Sequence, residues 1–276
     1  MERNATLFDL FWENSKLGPR TVQTFRRRLE EYAATDHEPW QLIYPGADVP
    51  LQRATDGLAR LFDKRRSART FSSVALPVRR LGRLLSAFAA GSSASRGFPS
   101  AGGLYPLEIF CLLKNVSGGP GRTAVHYNPD NHTLSVVGPL PENHADALNL
   151  DGFEGVPQLV VAFVLFPDRM TEKYGERGGR FALIEVGHAA QNLALRLVRE
   201  RLIGCEIGGF LDEEIIRILS LEGTGAQVAL GYACGIAPKR SPVRARLAPR
   251  KRARTRSPFE ELAKFPPLAG VRTLFH

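Results

Sequence analysis

The chain has 276 residues, 43% of them hydrophobic, enough for one large core or two small domains, of which one domain is the expectation. Its N-terminal stretch, MERNATLFDLFWENSK, is charged from residue 2 and lacks an apolar signal-peptide core, and its longest purely apolar run, LVVAFVLF at 159–166, is far shorter than the roughly 20 residues of a membrane span. The net charge of +9 is local: PKRSPVRARLAPRKRARTRSP at 238–258 holds nine Lys/Arg and no acid, leaving 28 basic against 28 acidic residues elsewhere, so the charge excludes a basic fold and marks an arm.

In chain order, LFDLFWENSK and TVQTFRRRLEEYAA predict two amphipathic helices separated by the breaker GPR. Residues 36–56 are Pro-rich and read as irregular, and 57–64 as a short helix running into KRRSARTF. Leu81, Leu84, Leu85 and Phe88 form the stripe of a core-facing helix, with Pro77 near its start and Gly91 past its end. A loop rich in Gly and Pro, PSAGGLYP, leads into a strand at 107–113, and VHYNPDNHTLSVV predicts a hairpin turning at NPDN. VPQLVVAFVLF is a buried strand, TEKYGERGGR a polar loop, and FALIEVGHAAQNLALRLVRERL a long helix. IGCEIGGF, DEEIIRILSL and QVALGYACGI close the core as strand, helix and strand. Helices and strands mix without a βαβ rhythm, which predicts an α+β fold. The divisions expected are a helical segment 1–56, a core domain 57–237 and a basic arm 238–276.

Cys111, Cys205 and Cys234 lie far apart in apolar contexts, which predicts reduced, buried thiols and a cytoplasmic chain. GxGxxG, GxxxxGK[ST] and HExxH are all absent. His188 reads as a structural histidine, with Glu185 one turn earlier to pair it.

Four stretches carry candidate chemistry. If KRRSARTF is extended, Arg65, Ser67 and Arg69 share one face, as an anion site would need; on spacing alone a solvated charged turn is the simpler reading. The backbone at Ala101–Gly103 and the double glycine Gly208–Gly209 have no bulky side chain to hold a flat ligand away. Lys173 and Tyr174 stand side by side between a buried strand and a buried helix, where a lysine can serve as base and a phenol can relay a proton. An ordinary surface pair is the alternative there.

Taken together, RRSARTF at 65–71 and PSAGGLYP at 99–106 resemble the flavin-binding signature of nitroreductase-like flavoproteins. The form PSAGGLYPLE, with VHYNPDNHTL, EKYGERGGRFALIEVGHAAQNLAL, CEIGGF and FWENSKL, is similar to one branch, the SagB-type dehydrogenases, over about residues 8–237. These are azoline oxidases that form thiazole and oxazole rings in ribosomally made peptides. The resemblance implies an intertwined homodimer with a mixed or antiparallel sheet flanked by helices, and FMN across the subunit interface. Arg65, Ser67 and Arg69 would then contact the FMN, with Pro99, Ser100, Ala101 and Gly103 lining the flavin from the neighbouring subunit. Gly208 and Gly209 would approach its N5/O4 edge, and Lys239 and Arg240 would complete the phosphate site. Lys173 and Tyr174 would be catalytic, removing a Cα proton while hydride passes to flavin N5 and oxygen reoxidises the cofactor. A cyclodehydratase complex would present the azoline peptide. Two rivals stand beside this: an NAD(P)H-dependent FMN reductase of a small acceptor, and a nucleic-acid-binding module using the arginine-rich arm.

Overall fold

A computed structural model describes residues 6–35, 40–42, 49–91, 95–148, 150, 152–239 and 254–256. Its elements are α1 (Leu7–Ser15), α2 (Val22–Ala34), β1 (Trp40–Leu42), α3 (Gly57–Lys64), β2 (Leu76–Pro77), α4 (Val78–Leu85), a 3-10 turn (Ala101–Gly103), β3 (Leu107–Leu113), β4 (Val116–Ser117), β5 (Thr123–Asn128), β6 (Thr133–Pro139), α5 (His144–Ala147), β7 (Leu159–Leu165), α6 (Asp168–Tyr174), α7 (Arg177–Arg199), β8 (Ile203–Ile207), α8 (Asp212–Ile218), β9 (Gln227–Gly235) and β10 (Arg254–Arg256). They form two compact units, Met1–Thr24 with Thr55–Arg240 and Phe25–Ala54 with Ser241–His276. In the second unit β1 and β10 pair in parallel, so the stretch read as irregular and the basic arm each supply a strand. Arg240 lies outside the described residues.

The first unit is built on a six-stranded sheet in the order β6-β5-β3-β7-β9-β8, with every pairing antiparallel. This is the expected α+β architecture. All seven residues of β7 are buried because both faces of the sheet are covered. Leu159, Val161, Phe163 and Leu165 enter a core with Leu81, Leu84 and Leu85 of α4 and Leu193 of α7. Val160, Ala162 and Val164 enter a second core with Ala147 of α5 and Ile215 of α8. A strand buried on both faces has no polar alternation to show, which is why its sequence reads as one apolar run. The hairpin β5–β6 turns where expected: Asn128 Oδ1 accepts from the N–H groups of Asp130 (2.9 Å) and Asn131 (3.2 Å).

One expectation fails. TEKYGERGGR is not a loop: α6 runs through Tyr174, and α7 begins at Arg177 after a break of two residues. Gly175 adopts φ +55 and ends α6. Gly178 and Gly179 lie inside α7 at positions where their neighbours leave no room for a side chain. A Cβ on Gly178 would lie 2.8 Å from the Met170 backbone, and one on Gly179 would lie 2.2 Å from the Phe8 ring. Phe8 reaches that spot on α1, whose first turn is fixed by Glu176: its carboxylate accepts from the N–H groups of Leu7 (2.9 Å) and Phe8 (3.0 Å). An acid at a helix N-terminus satisfies orphan donors there. Thus α1 is docked on the corner between α6 and α7.

Candidate active site

The sheet register gathers one group of candidates. Leu107, first in β3, stands opposite Leu165, last in β7. The loop that enters β3 and the helix that follows β7 therefore converge at one end of the sheet. The loop is residues 99–106; the helix is α6, which carries Lys173 and Tyr174. They meet at Gly102. Its φ is +64, and a Cβ there would lie 2.6 Å from Tyr174 Oη and 2.8 Å from Lys173 Nζ. Gly103, at φ +67, has no atom within 4 Å of its Cβ position and presents bare backbone to open space.

The surrounding contacts fix this geometry. Ser100 Oγ accepts from the Tyr105 N–H at 2.9 Å, closing the turn around the 3-10 segment. The Tyr174 ring stands edge-on to Phe181 of α7 at 5.2 Å, and Lys173 Nζ lies 5.3 Å from the Tyr174 ring centroid. Lys173 is exposed and Tyr174 half-buried, so the pair is open on one side and held on the other. Pro99 is exposed; Ser100 and Ala101 are half-buried.

Arg169, near the start of α6, ties the helix to the loop. Its Nη1 donates to the Tyr105 carbonyl (3.1 Å) and to Glu108 Oε1 (2.5 Å), and Glu108 Oε2 pairs with His126 Nε2 of β5 (2.9 Å). Burial raises the Glu108 carboxyl's pKa, but the hydrogen bonds and charges of His126 and Arg169 outweigh it, so the net position is below the usual carboxylate range. A lowered carboxylate pKa stabilises the fold above its unfolded value, and that contribution is lost as pH falls through the folded value. We expect Glu108→Gln to flatten the acid limb of a thermal-unfolding profile. A melting temperature that falls with acid as steeply as in wild type would show that Glu108 contributes nothing there.

The second group lies elsewhere. Residues 65–70 are extended: Ser67 bridges to Gly204 at the start of β8, and the Ala68 N–H donates to the Gly204 carbonyl at 2.9 Å. Arg65 is half-buried and lines a cavity of about 90 Å³ with Gly204 and Tyr232, whereas Ser67 and Arg69 are exposed. Arg69 lies with its guanidinium 5.9 Å from the Phe153 ring centre. Arg66 turns back onto the carbonyls of Asp63 and Arg65. Gly208 and Gly209 leave the far end of β8, and the Cβ position of Gly208 is also open. Lys239 is exposed beyond β9.

The arginine segment and the 99–106 loop do not meet within one chain. Gly204 pairs with Cys234, which pairs with Leu159, which pairs with Leu113. The arginine segment thus sits at the Leu113 end of the sheet and the 99–106 loop at the Leu107 end. Six residue steps of strand separate them, about 20 Å. No hydrogen bond, ion pair or ring contact among the described residues joins the two groups.

Two features differ from the sequence reading. His188 is exposed, so it is not a packed histidine, and Glu185 does not pair with it. Glu185 is 1% exposed on the core face of α7, with neither carboxylate oxygen in a hydrogen bond. Its helical phase signals this: Ala182, Val186, Ala189 and Leu193 are the buried positions around it. Gly102 lies inside the Ala101–Gly103 backbone that the sequence marks as open to a flat ligand, but its place against Lys173 and Tyr174 is visible only in the structure.

The three cysteines are buried and free, and burial pushes the Cys111 thiol up to about 12. Among the described residues, no helix is long and apolar enough to cross a membrane, and no cluster of His, Cys, Asp or Glu could hold a metal ion.

Residues 63–236 match the family model described as the nitroreductase family. A protein of Methanocaldococcus jannaschii named as a nitroreductase is 37% identical over 166 residues, 58% of this chain and 82% of that one. The microcin B17-processing protein McbC of Escherichia coli is 29% identical over 139 residues, 47% of this chain and half of that one. Among solved structures, a chain of the E. coli microcin synthetase McbBCD complex with truncated pro-MccB17 bound superposes with a TM-score of 0.62 at 22% identity, covering 81% of this chain and 88% of that one. A protein of Ralstonia eutropha JMP134 named as a nitroreductase gives a TM-score of 0.58 at 20% identity, covering 75% and 97%.

Proposed function

The chain belongs to the nitroreductase family of oxidoreductases, and we propose that it is an FMN-dependent dehydrogenase that oxidises thiazoline or oxazoline rings of a peptide to thiazole or oxazole. The observation that carries this reading is the meeting of Lys173 and Tyr174 with Gly102 on the glycine loop. A base and a phenol beside bare backbone suit removal of a carbon-bound proton from a flat ring lying on that backbone. The likeness to McbC, a microcin-processing protein, supports a peptide as the source of that ring.

The residues present fit FMN. Gly103 and Gly208 are bare where a Cβ would meet no protein atom, and Arg65, Ser67 and Arg69 offer the forked and hydroxyl donors that suit a phosphate. When bound, FMN would supply the two-electron acceptor that ring dehydrogenation requires. Lys173 or Tyr174 would take the Cα proton. Phe181 holds the Tyr174 ring, and the Tyr105 N–H holds Ser100, so these groups need little ordering when the substrate arrives.

We propose a homodimer in which each site takes its arginine segment from one chain and its 99–106 loop from the other. The separation of the two groups along the sheet supports this. So do the exposed apolar residues Leu7, Leu10 and Phe11 on α1 and Leu183 and Ile184 on α7. Presentation of the peptide by a cyclodehydratase complex belongs to the same proposal, as does a cytoplasmic location, which the reduced thiols suit.

A second reading is an NAD(P)H-dependent FMN reductase of a small acceptor, favoured by the identity to the M. jannaschii protein. Anaerobic mixing separates the two. An azoline peptide should bleach the yellow protein, and NADPH should leave it oxidised. Rapid bleaching by NADPH with none by the peptide would establish the reductase.

A further inference from the structure

Gln158 stands just before β7, and its side chain is 0% exposed. A buried amide with unpaired ends is costly, and here both ends are matched. Its Nε2 donates to the Ser72 carbonyl, and its Oε1 accepts from the Ile236 N–H at 2.9 Å. The partners fix its orientation, because a carbonyl pairs only with the amide nitrogen and an N–H only with the amide oxygen. The Ser72 N–H donates in turn to the Ile236 carbonyl at 2.9 Å. Ser72, Ile236 and Gln158 therefore close a three-cornered junction that uses every backbone polar group of Ser72 and Ile236. A Cβ on Gly235 would run into the Gln158 amide and lie 2.9 Å from the Phe71 ring, so the glycine leaves the amide its place.

The junction ties together two segments that carry cations. Residues 65–72 lie outside the six-stranded sheet and meet it and its loops through single bridges, Ser67 to Gly204 and Thr70 to Glu154. Ile236 is the first residue after β9. Arg69 lies three residues before Ser72, and Lys239 lies three residues after Ile236; both are exposed. Neither forms an ion pair among the described residues. Three residues of extended chain span no more than about 10 Å, so the junction tethers both cations close to one point. Two like charges held together are better satisfied by an anion that both can reach.

We propose that Gln158 is a positioning residue for anion binding: by joining Ser72 to Ile236 it brings Arg69 and Lys239 to bear on one phosphate. The proposal rests on the reading of the arginine segment as the flavin-phosphate site. Gln158 itself does not touch the ligand; it acts through the two backbone segments that it holds in register.

The test compares FMN with riboflavin, which keeps the ring and ribityl chain and lacks the phosphate. Affinities of the full chain for each are read by quenching of flavin fluorescence, for wild type, Gln158→Met and Lys239→Ala. Gln158→Met keeps the volume and removes both amide hydrogen bonds. Wild type should prefer FMN, and each variant should lower the ratio of FMN to riboflavin affinity by about tenfold or more, the worth of one hydrogen bond to a charged group. A merely structural role would weaken both flavins alike and leave the ratio unchanged. Lys239 is exposed, so Lys239→Ala keeps the proposal falsifiable if Gln158→Met does not fold. A wild-type preference for FMN that either folded variant retains overturns this proposal alone. A wild type that binds both flavins equally, or neither, overturns the reading of the phosphate site and this proposal with it.

Discussion

Gly102→Ala is expected to leave the protein folded and to slow azoline oxidation on the order of 100-fold. The two effects separate because of what the new Cβ meets. Its nearest neighbours, Tyr174 Oη at 2.6 Å and Lys173 Nζ at 2.8 Å, are the far ends of flexible side chains and can move aside. The fold then bears mainly the strain of a non-glycine residue at φ +64, about 1–2 kcal/mol. The chemistry bears more. Both candidate proton-handling atoms must shift by a sizeable fraction of an ångström or more, and a misplacement of about 1 Å can cost about 100-fold in rate. Single-turnover rates measured beside thermal unfolding check this. A variant that oxidises at the wild-type rate would place the reacting ring elsewhere.

The other large effect is expected at the pair itself. Lys173→Ala should reduce the rate by about 10²–10⁴-fold if the amine is the base. Lys173 is exposed, so its loss should change stability by no more than about 0.5 kcal/mol. Tyr174→Phe keeps the ring that packs edge-on against Phe181 and removes only the hydroxyl. Whichever variant loses more identifies the residue that takes the proton. FMN content should stay at the wild-type level in both, because the proposed flavin contacts lie on the 99–106 loop and the β8 edge. Full activity in both variants would remove the pair from the mechanism.

Much of the first unit was legible from local pattern. The stripe Leu81, Leu84, Leu85 and Phe88 is buried as its spacing requires, and the run 159–166 forms the all-buried centre of the sheet plus one further residue. The hairpin turn was written in Asn128, whose side chain caps its own backbone. What failed was set by distant contacts. Two adjacent glycines in TEKYGERGGR argue locally for a loop, but on α7 the Met170 backbone needs the space at Gly178, and Phe8, about 170 residues away in sequence, needs the space at Gly179. Propensity describes one segment at a time, and tertiary packing overrode it here.

At the candidate site, residue identities were easier to read than their grouping. The arginine segment and the glycine loop were both marked by their sequences. Nothing in either sequence says that antiparallel pairing of β3 with β7 brings Lys173 and Tyr174 to Gly102 and leaves Arg65 at the sheet's opposite end. Glu185 was read as a partner for His188 because i, i+3 spacing allows it. The orientation of α7 separates them, putting one in the core and the other in solvent.

Azoline dehydrogenation is tested most directly by mass analysis of an azoline-containing peptide after incubation with the FMN-loaded protein in air, without nicotinamide. Wild type should remove two hydrogens per ring, and a Lys173→Ala, Tyr174→Phe double variant that still binds FMN should leave the azoline intact. An unchanged peptide mass with the yellow, oxygen-exposed wild type, across both thiazoline and oxazoline rings, would contradict it.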